Sequence, residues 1–273
     1  MDVVVDVGGT YDPNTHRFDH HQPTFHDTFS PEHKTLLSSA GLIIAQQLET
    51  PDEAAVALLY RKIYDRFVEA FDAHDNGVSA YPSEIKPLFH RSWDIFAQVN
   101  ILNPDWNEDD VNVQERFLQA VQLVRTNFEA VLKKYTKSWL LGRSILERCL
   151  LAVPVGDATA LESQIIVLDQ FCPWQDHLFD LEGEREVKNP ILYALYEDSM
   201  KRSWRVHAVP MGPDTFECRL ALPEAWRGLR DQELSDVSGI PGCVFVHRGG
   251  FIGAHATKEG AMEMAKQSLK LQQ

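Results

Sequence analysis

Four histidines, His16, His20, His21 and His26, fall within eleven residues, and Asp19-His20-His21 sets a carboxylate beside two imidazoles. Neutral imidazole and carboxylate oxygen together suit Mn, Fe, Co or Zn. Adjacent side chains on an extended segment point to opposite sides, so His20 and His21 are expected to do different jobs, one at a metal and one at substrate. A solvated histidine-rich loop is the plainer alternative, weakened by the flanking Phe18 and Asp19. A carboxylate that orients a ligand imidazole is a common arrangement, which would set Asp19 behind His20. Asp6 ends an apolar β-branched run, Val3-Val4-Val5-Asp6-Val7, just before Gly8-Gly9. In open parallel sheets, ligands bind outside the carboxyl ends of strands; the alternative is a strand-ending Asp that caps a turn. Asp72 and Asp75 sit where a helix is expected to end, and acidic groups there are opposed by the helix dipole. They imply an external cation, or else a polar turn leading into Asn76-Gly77. Asp6, Asp19, His20 and Asp75 weigh more together than singly, because oxygen-rich sites with one or two histidines perform two-metal phosphoester hydrolysis.

The elements that must carry these residues follow from periodicity. Val3 to Val7 reads as a strand buried on both faces, and so central a strand at the chain start leads to the expectation of a further segment upstream. Helices are expected over Leu36 to Leu48 and over Ala54 to Ala73, the latter with Leu58, Ile63, Phe67 and Phe71 on its apolar side. Pro82 to Asp105 reads as irregular. Phe117, Val121, Val124, Phe128, Val131 and Tyr135 have the period of one helical face and are expected to be core. Ile165 to Leu168 reads as a short buried strand. Ile191 to Glu197, Trp204 to Pro210, Phe216 to Leu222 and Cys243 to His247 read as strands, and Lys258 to Leu269 as an amphipathic closing helix. Mixed strands and helices in both halves give an α/β or α+β class, with a boundary near Val153 to Gln175.

Composition bounds the function. The 273 residues suggest about two domains. Asp and Glu total 40 against 26 Lys and Arg, a net charge of −14. So acidic a chain is not held to nucleic acid or anionic lipid by its overall field, and phosphate must be met by a local basic patch or by metal ions. No window reaches the roughly 18 apolar residues of a membrane span, so no membrane partner is expected. Met1 to Val7 lacks the features of a signal peptide. Cys149, Cys172, Cys218 and Cys243 are widely spaced, without a C-x-x-C pair, and read as small buried residues in a reduced intracellular compartment.

Several segments resemble a known family. VVVDVGG (Val3 to Gly9), Tyr11-Asp12-Pro13, RFDHHQ (Arg17 to Gln22), LSSAG (Leu37 to Gly41) and DAHDNG (Asp72 to Gly77) are similar to the melanocyte proliferating gene family, within the DHH phosphoesterase superfamily. So are FECR (Phe216 to Arg219), LPEAWRGLRD (Leu222 to Asp231), SGIPG (Ser238 to Gly242) and Phe245-Val246-His247 followed by GFIG (Gly250 to Gly253). The resemblance covers nearly the whole chain. It implies a DHH-type parallel sheet flanked by helices over residues 1–160, an N-terminally incomplete phosphoesterase domain, and a smaller α+β substrate-binding domain over residues 161–273. It implies a manganese-dependent 3′-5′ exonuclease acting on RNA, linked to the nucleus and mitochondrion, with magnesium as the alternative ion. By position, Asp6 is the carboxylate that bridges two metals, His20 and Asp75 are metal ligands with Asp72 the less favoured alternative, His21 contacts the scissile phosphate and Asp19 supports His20.

The family pattern also includes an upstream motif of the form G-T-H-x-G-x-F-H-C-D-E with further ligands, which has no counterpart in these residues; the resemblance implies that a targeting segment, too, would lie upstream of them. A non-catalytic binding or regulatory form of the family is therefore the rival expectation, and hydrolysis of a small phosphate such as pyrophosphate or a dinucleotide is a third. Arg219, Arg227 and Arg230 form a local basic group suited to phosphate, and Gly249-Gly250 and Gly253 can offer backbone N–H groups to it. Residues alone favour ordinary surface arginines and a β-turn; the resemblance favours Arg219, Arg227, Gly250 and Gly253 as substrate contacts. His247 reads either as a substrate contact or as a strand-end histidine. Trp226 and Phe251 can stack on a base, although core is the commoner use of aromatics.

Overall fold

Three short strands, β1 (Val4–Val5), β2 (Tyr11–Asp12) and β3 (Arg17–Phe18), open the chain in the computed structural model, which describes residues 3–48, 54–86, 88–89, 93–153, 161–185, 187, 189–213 and 215–271. β1 runs parallel to β3, with Val4 opposite Arg17 and Val5 opposite Phe18, and β2 pairs antiparallel on the other side of β3. The expectation of a strand buried on both faces is corrected here. β1 is an edge strand, and Val3, Val5 and Val7 are exposed. The β-branched run forms extended backbone as propensity predicts, but no described layer covers it.

The chain divides into two units, Met1–Lys137 and Ser138–Gln273. The expected 160/161 junction adjoins residues 154–160, which lie outside the described residues. In the first unit, α1 (Ser39–Leu48) follows the strands. One continuous helical stretch then comprises α2 (Ala54–Ile63), a π-helical turn at Tyr64–Val68, and α3 (Glu69–Asp75). A π turn adds a residue to the helical ladder and re-aims the face that follows it. Before the turn Leu58 is half-buried and Ile63 is buried as expected; from the turn onward Phe67 and Phe71 are only half-buried, whereas Tyr64, Val68 and Asp72, spaced four apart, form the buried stripe. That shift is what turns a carboxylate, Asp72, into the interior.

The span read as irregular contains α4 (Ile95–Asn100), capped by Asp94, whose carboxylate accepts from Ala97 N–H at 2.9 Å. α5 (Val113–Lys134) forms where the periodicity places it, capped by Asn112. Most of the expected stripe is not core: Phe117 and Val121 are exposed, Val124, Phe128 and Val131 are half-buried, and Tyr135, just past the helix, is buried. Period reports which residues share a face, not whether another element covers it.

The second unit starts with α6 (Leu140–Leu151). It is built around β4 (Ile165–Val167), β5 (Tyr193–Asp198), β6 (Ser203–Ala208), β7 (Cys243–Val246) and β8 (Ile252–His255), in the order β4-β5-β6-β8-β7. β4 and β5 are parallel and the other pairs antiparallel. α7 (Trp174–Glu184), α8 (Asp231–Ser238) and α9 (Lys258–Leu271) complete it. Both faces are covered. Tyr193 and Leu195 pack with Leu234, Met264 and Leu269, while Ala194 and Tyr196 pack with Leu146, Trp174 and Leu178. This explains why Tyr-Ala-Leu-Tyr carries no polar alternation. Phe216 to Leu222, expected as a strand, is a loop with one isolated bridge between Pro210 and Cys218. α7, α8 and β8 have no counterpart in the sequence reading. The molecule is thus mixed α/β with a C-terminal α+β part, as the composition of elements implied. Among the described residues no helix is long and apolar enough to cross a membrane.

Candidate metal centre

Two parallel strands deliver the key residues to one edge. Because β1 and β3 are parallel and in register, the residues that follow them, Asp6 and Asp19-His20, emerge side by side. Asp6 N–H donates to Phe18 O at 2.9 Å, extending the pairing one step past β1. Asp6 then takes φ = +66°, a left-handed conformation that Asp tolerates better than most residues. Gly8 and Gly9, also at positive φ, carry the chain away. Asp75 arrives from the C-terminal end of α3, where Asn76 Nδ2 donates to Leu36 O at 3.0 Å and to Asp72 O at 2.9 Å.

His20 is the meeting point. Its side chain is 7% exposed, and Nε2 lies 2.8 Å from Asp75 Oδ2 and 3.5 Å from Asp6 Oδ1. Neither carboxylate meets it with hydrogen-bond geometry, so Nε2 is a buried polar atom without a hydrogen-bond partner among the described residues. The two carboxylates are half open to solvent, at 57% and 44%. Two carboxylate oxygens converging on a buried imidazole nitrogen that lacks a hydrogen bond fit a divalent ion of the Mn or Zn type. His21 lies beside them: Asp6, His20 and His21 each offer one ligand atom within 4.8 Å of the others. The residues therefore fit a metal site with Asp6 and His20 at its heart, Asp75 on one side and His21 on the other.

Asp19 does not stand behind His20 as expected. Its Oδ1 lies 2.7 Å from His21 Nδ1 and accepts from His21 N–H at 3.1 Å, while Oδ2 accepts from Gly9 N–H at 2.5 Å. The His21 side chain and the Gly9 amide hold the Asp19 carboxyl down to about 2. The same bond, helped by the charges of Asp6 and Asp75, raises the His21 imidazole above its ordinary value. With its Nδ1 engaged, His21 keeps a side chain 61% exposed beside the cluster.

Asp72, the less favoured ligand, is fully committed elsewhere. Its Oδ1 accepts from Ser38 N–H at 3.0 Å, Ser38 Oγ–H at 2.6 Å and Gly41 N–H at 3.1 Å; its Oδ2 accepts from Tyr64 O–H at 2.7 Å. It caps the N-terminus of α1 from another helix, where the dipole favours a negative charge. Burial raises its carboxyl, and the hydroxyl and amide donors oppose that rise. Ser39 Oγ, next along α1, lies 2.8 Å from Phe18 O and 3.3 Å from Asp6 Oδ1, tying the helix start to β3 and to the site.

In the second unit the expected substrate residues are differently placed. Arg219 forms a two-pronged pair with Glu182, at 3.0 and 2.7 Å, donates to Ile191 O at 2.9 Å and lies over the Phe179 ring. Removing one partner of such a part-buried pair leaves the other charge uncompensated. Arg219→Ala is expected to cost about 2–3 kcal/mol in a urea melt; an unchanged midpoint would contradict it. Arg227 Nε donates to Leu222 O at 2.9 Å and backs the Gly250 turn, where φ is +70°. Arg230 lies over the Phe245 ring. His247 Nδ1 accepts from Gly249 N–H at 3.0 Å, and its ring contacts Phe251. Gly253 lies in β8 opposite Val206 and Val246, in a space too tight for a larger residue. Trp226 is core and cannot stack on a ligand.

His207, which the sequence reading passed over, is enclosed by Trp174, Tyr196 and Phe251. Burial pushes its imidazole down to about 4. The unfolded chain, with an ordinary histidine near 6.5, binds a proton between those values that the folded chain refuses. Stability from this group is full above about pH 6.5 and is lost as pH falls toward 4, by on the order of 2–3 kcal/mol. Chemical denaturation at pH 7 and pH 4.5 should show a drop that His207→Phe reduces.

The profile of the uncharacterised protein family UPF0160, labelled MYG1_exonuc, matches residues 1–269. The MYG1 protein of Dictyostelium discoideum is 47% identical over 277 residues, covering 98% of this chain and 83% of that relative. The MYG1 protein of Schizosaccharomyces pombe is 44% identical over 286 residues, covering 100% of this chain and 85% of the relative. The protein named MYG1 exonuclease in Homo sapiens is 43% identical over 286 residues, covering 98% and 74%. No solved structure matches the chain.

Proposed function

The chain belongs to the MYG1 family, whose profile runs along it from residue 1 to 269, and from that premise we propose that it is a metal-dependent phosphodiesterase of the DHH superfamily, a 3′-5′ exonuclease on RNA. The observation that carries the proposal is the convergence of Asp6 and Asp75 on the buried Nε2 of His20, which has no hydrogen-bond partner among the described residues. The name exonuclease on the human and mouse relatives supports the reaction class.

Asp6, His20 and Asp75 would hold manganese, or alternatively magnesium, in a two-ion arrangement. Bound there, such ions supply Lewis acidity and a water deprotonated near neutral pH. The chain's own residues do the rest. Asp19 holds His21 through Nδ1 and raises its imidazole, so that His21 can bind a phosphate oxygen and retain or release a proton at Nε2. Local charge thus substitutes for the repulsive field of an acidic protein. Residues 1–160 are the proposed phosphoesterase domain and 161–273 the proposed substrate-binding domain, with Arg227, His247, Gly250 and Gly253 as phosphate contacts and Arg219 held back by Glu182. Nuclear and mitochondrial RNA is the proposed substrate pool.

The test is incubation of 5′-labelled single-stranded RNA and DNA with the chain in Mn²⁺, in Mg²⁺ and in EDTA. Stepwise shortening of RNA from the 3′ end, dependent on metal, is expected. Faster turnover of pyrophosphate or dinucleotides would move the substrate to small phosphates. No hydrolysis of any of these, together with no Mn²⁺ binding by calorimetry, would leave a non-catalytic form.

A further inference from the structure

Beside the candidate metal centre, and sharing its walls, is a cavity of about 480 Å³, within the roughly 300–1,000 Å³ of small-molecule sites. Asp6 and Asp75 line it, and these carboxylates also flank His20 Nε2, so one ligand can occupy the cavity and reach the cluster. We infer that the cavity is a nucleobase subsite, holding the base of the nucleotide whose phosphate meets Asp6, His20 and Asp75. The inference rests on the phosphodiesterase proposal above and deepens it.

Three features carry it. First, the cavity contains a ready platform. The His74 ring stacks on Phe96, centroids 4.1 Å apart at 14°, and Phe71 braces Phe96 from its edge at 5.1 Å. His74 is exposed and lines the cavity, so the stacked pair presents an aromatic ring at its wall. Base–aromatic stacking is tolerant of sequence, because every base has a π-face. Second, the polar groups suit a base edge. Asn103 Nδ2 donates to Asn100 Oδ1 at 3.3 Å. That leaves a donor on Asn100 and an acceptor on Asn103, the complementary pair that an amide-like base edge requires. Third, among the described residues no Lys or Arg lines the cavity. No cationic side chain is there to pair a second phosphate, so a neutral part of the substrate suits it best.

The test measures binding, separately from turnover. In Mn²⁺, adenosine and uridine 5′-monophosphates are compared with ribose 5-phosphate by calorimetry. The nucleotides are expected to bind about 10-fold more tightly, from one stacked base. Val124→Trp, which fills the cavity, and Phe96→Ala, which removes the platform, should each bring the nucleotides to the level of ribose 5-phosphate and leave ribose 5-phosphate unchanged. Asn103→Ala, at an exposed position, should lower nucleotide affinity about 3-fold without repacking. Equal affinity of nucleotide and ribose 5-phosphate, discrimination that survives Val124→Trp in a folded variant, or no binding of either ligand would each overturn the subsite. RNA hydrolysis scored in parallel separates the two ideas. Hydrolysis without base discrimination removes the subsite and keeps the nuclease; discrimination without hydrolysis keeps the subsite and removes the nuclease.

Discussion

His20→Ala is expected to lower phosphodiesterase turnover at least about 10³-fold and to abolish tight Mn²⁺ binding, while the circular dichroism melt stays close to that of the parent. A thousandfold loss corresponds to about 4 kcal/mol of transition-state stabilisation, the scale of an ion held at a reacting phosphate. The geometry explains why so much rests on one ring. Nε2 lies 2.8 Å from Asp75 Oδ2 and 3.5 Å from Asp6 Oδ1, so this one ring nitrogen is where the two carboxylates meet. Asp19→Asn provides the contrast. It removes the negative charge that helps raise the His21 imidazole but no proposed metal ligand, so calorimetric metal binding should persist while turnover falls about 100-fold. If His20→Ala retains turnover within tenfold, the reacting centre is elsewhere.

Asp72→Ala should be the most damaging single change to stability in the first unit, at about 4 kcal/mol by denaturant unfolding. Four donors lose their acceptor at once: Ser38 N–H, Ser38 Oγ–H, Gly41 N–H and Tyr64 O–H. Each buried donor left unpaired costs about 1–3 kcal/mol, with the sum reduced where water or a rotated hydroxyl compensates. Gly41→Ala reaches the same network from the other side, because a Cβ there would lie 2.2 Å from Asp72 Oδ2. A midpoint for Asp72→Ala within 1 kcal/mol of the parent would show that water replaces the carboxylate at little cost, and that the α1 cap is dispensable.

The site was legible where chemistry is local and the fold where period is regular. Asp19-His20-His21 and Asp72 to Gly77 announce themselves by residue type, and parallel pairing of β1 with β3 brings the first group to Asp6. What the sequence did not disclose is which imidazole Asp19 serves. The bond runs to His21, two residues on, and only the turn geometry after β3 decides that. Nor did it show which aspartate turns inward. The π turn at Tyr64–Val68 settles that choice by advancing the helical face, and no side-chain type marks a π turn. α7 and α8 escaped notice because short helices flanked by Pro and Gly carry few repeats of their period. Phe216 to Leu222 has strand-like residues but meets only one bridging partner, and a ladder needs a partner along its length.

Asp72 and Asp75 stand three residues apart on α3, one clamped by protein donors and the other open to solvent. The clamp fixes the helix against the start of α1, and through it the height at which the open carboxylate is presented. The position of that carboxylate, a proposed ligand, is thus set when the first unit folds. Under the proposal, capture of a cation requires little beyond the shedding of water, which is the meaning of preorganisation at the level of a single helical turn.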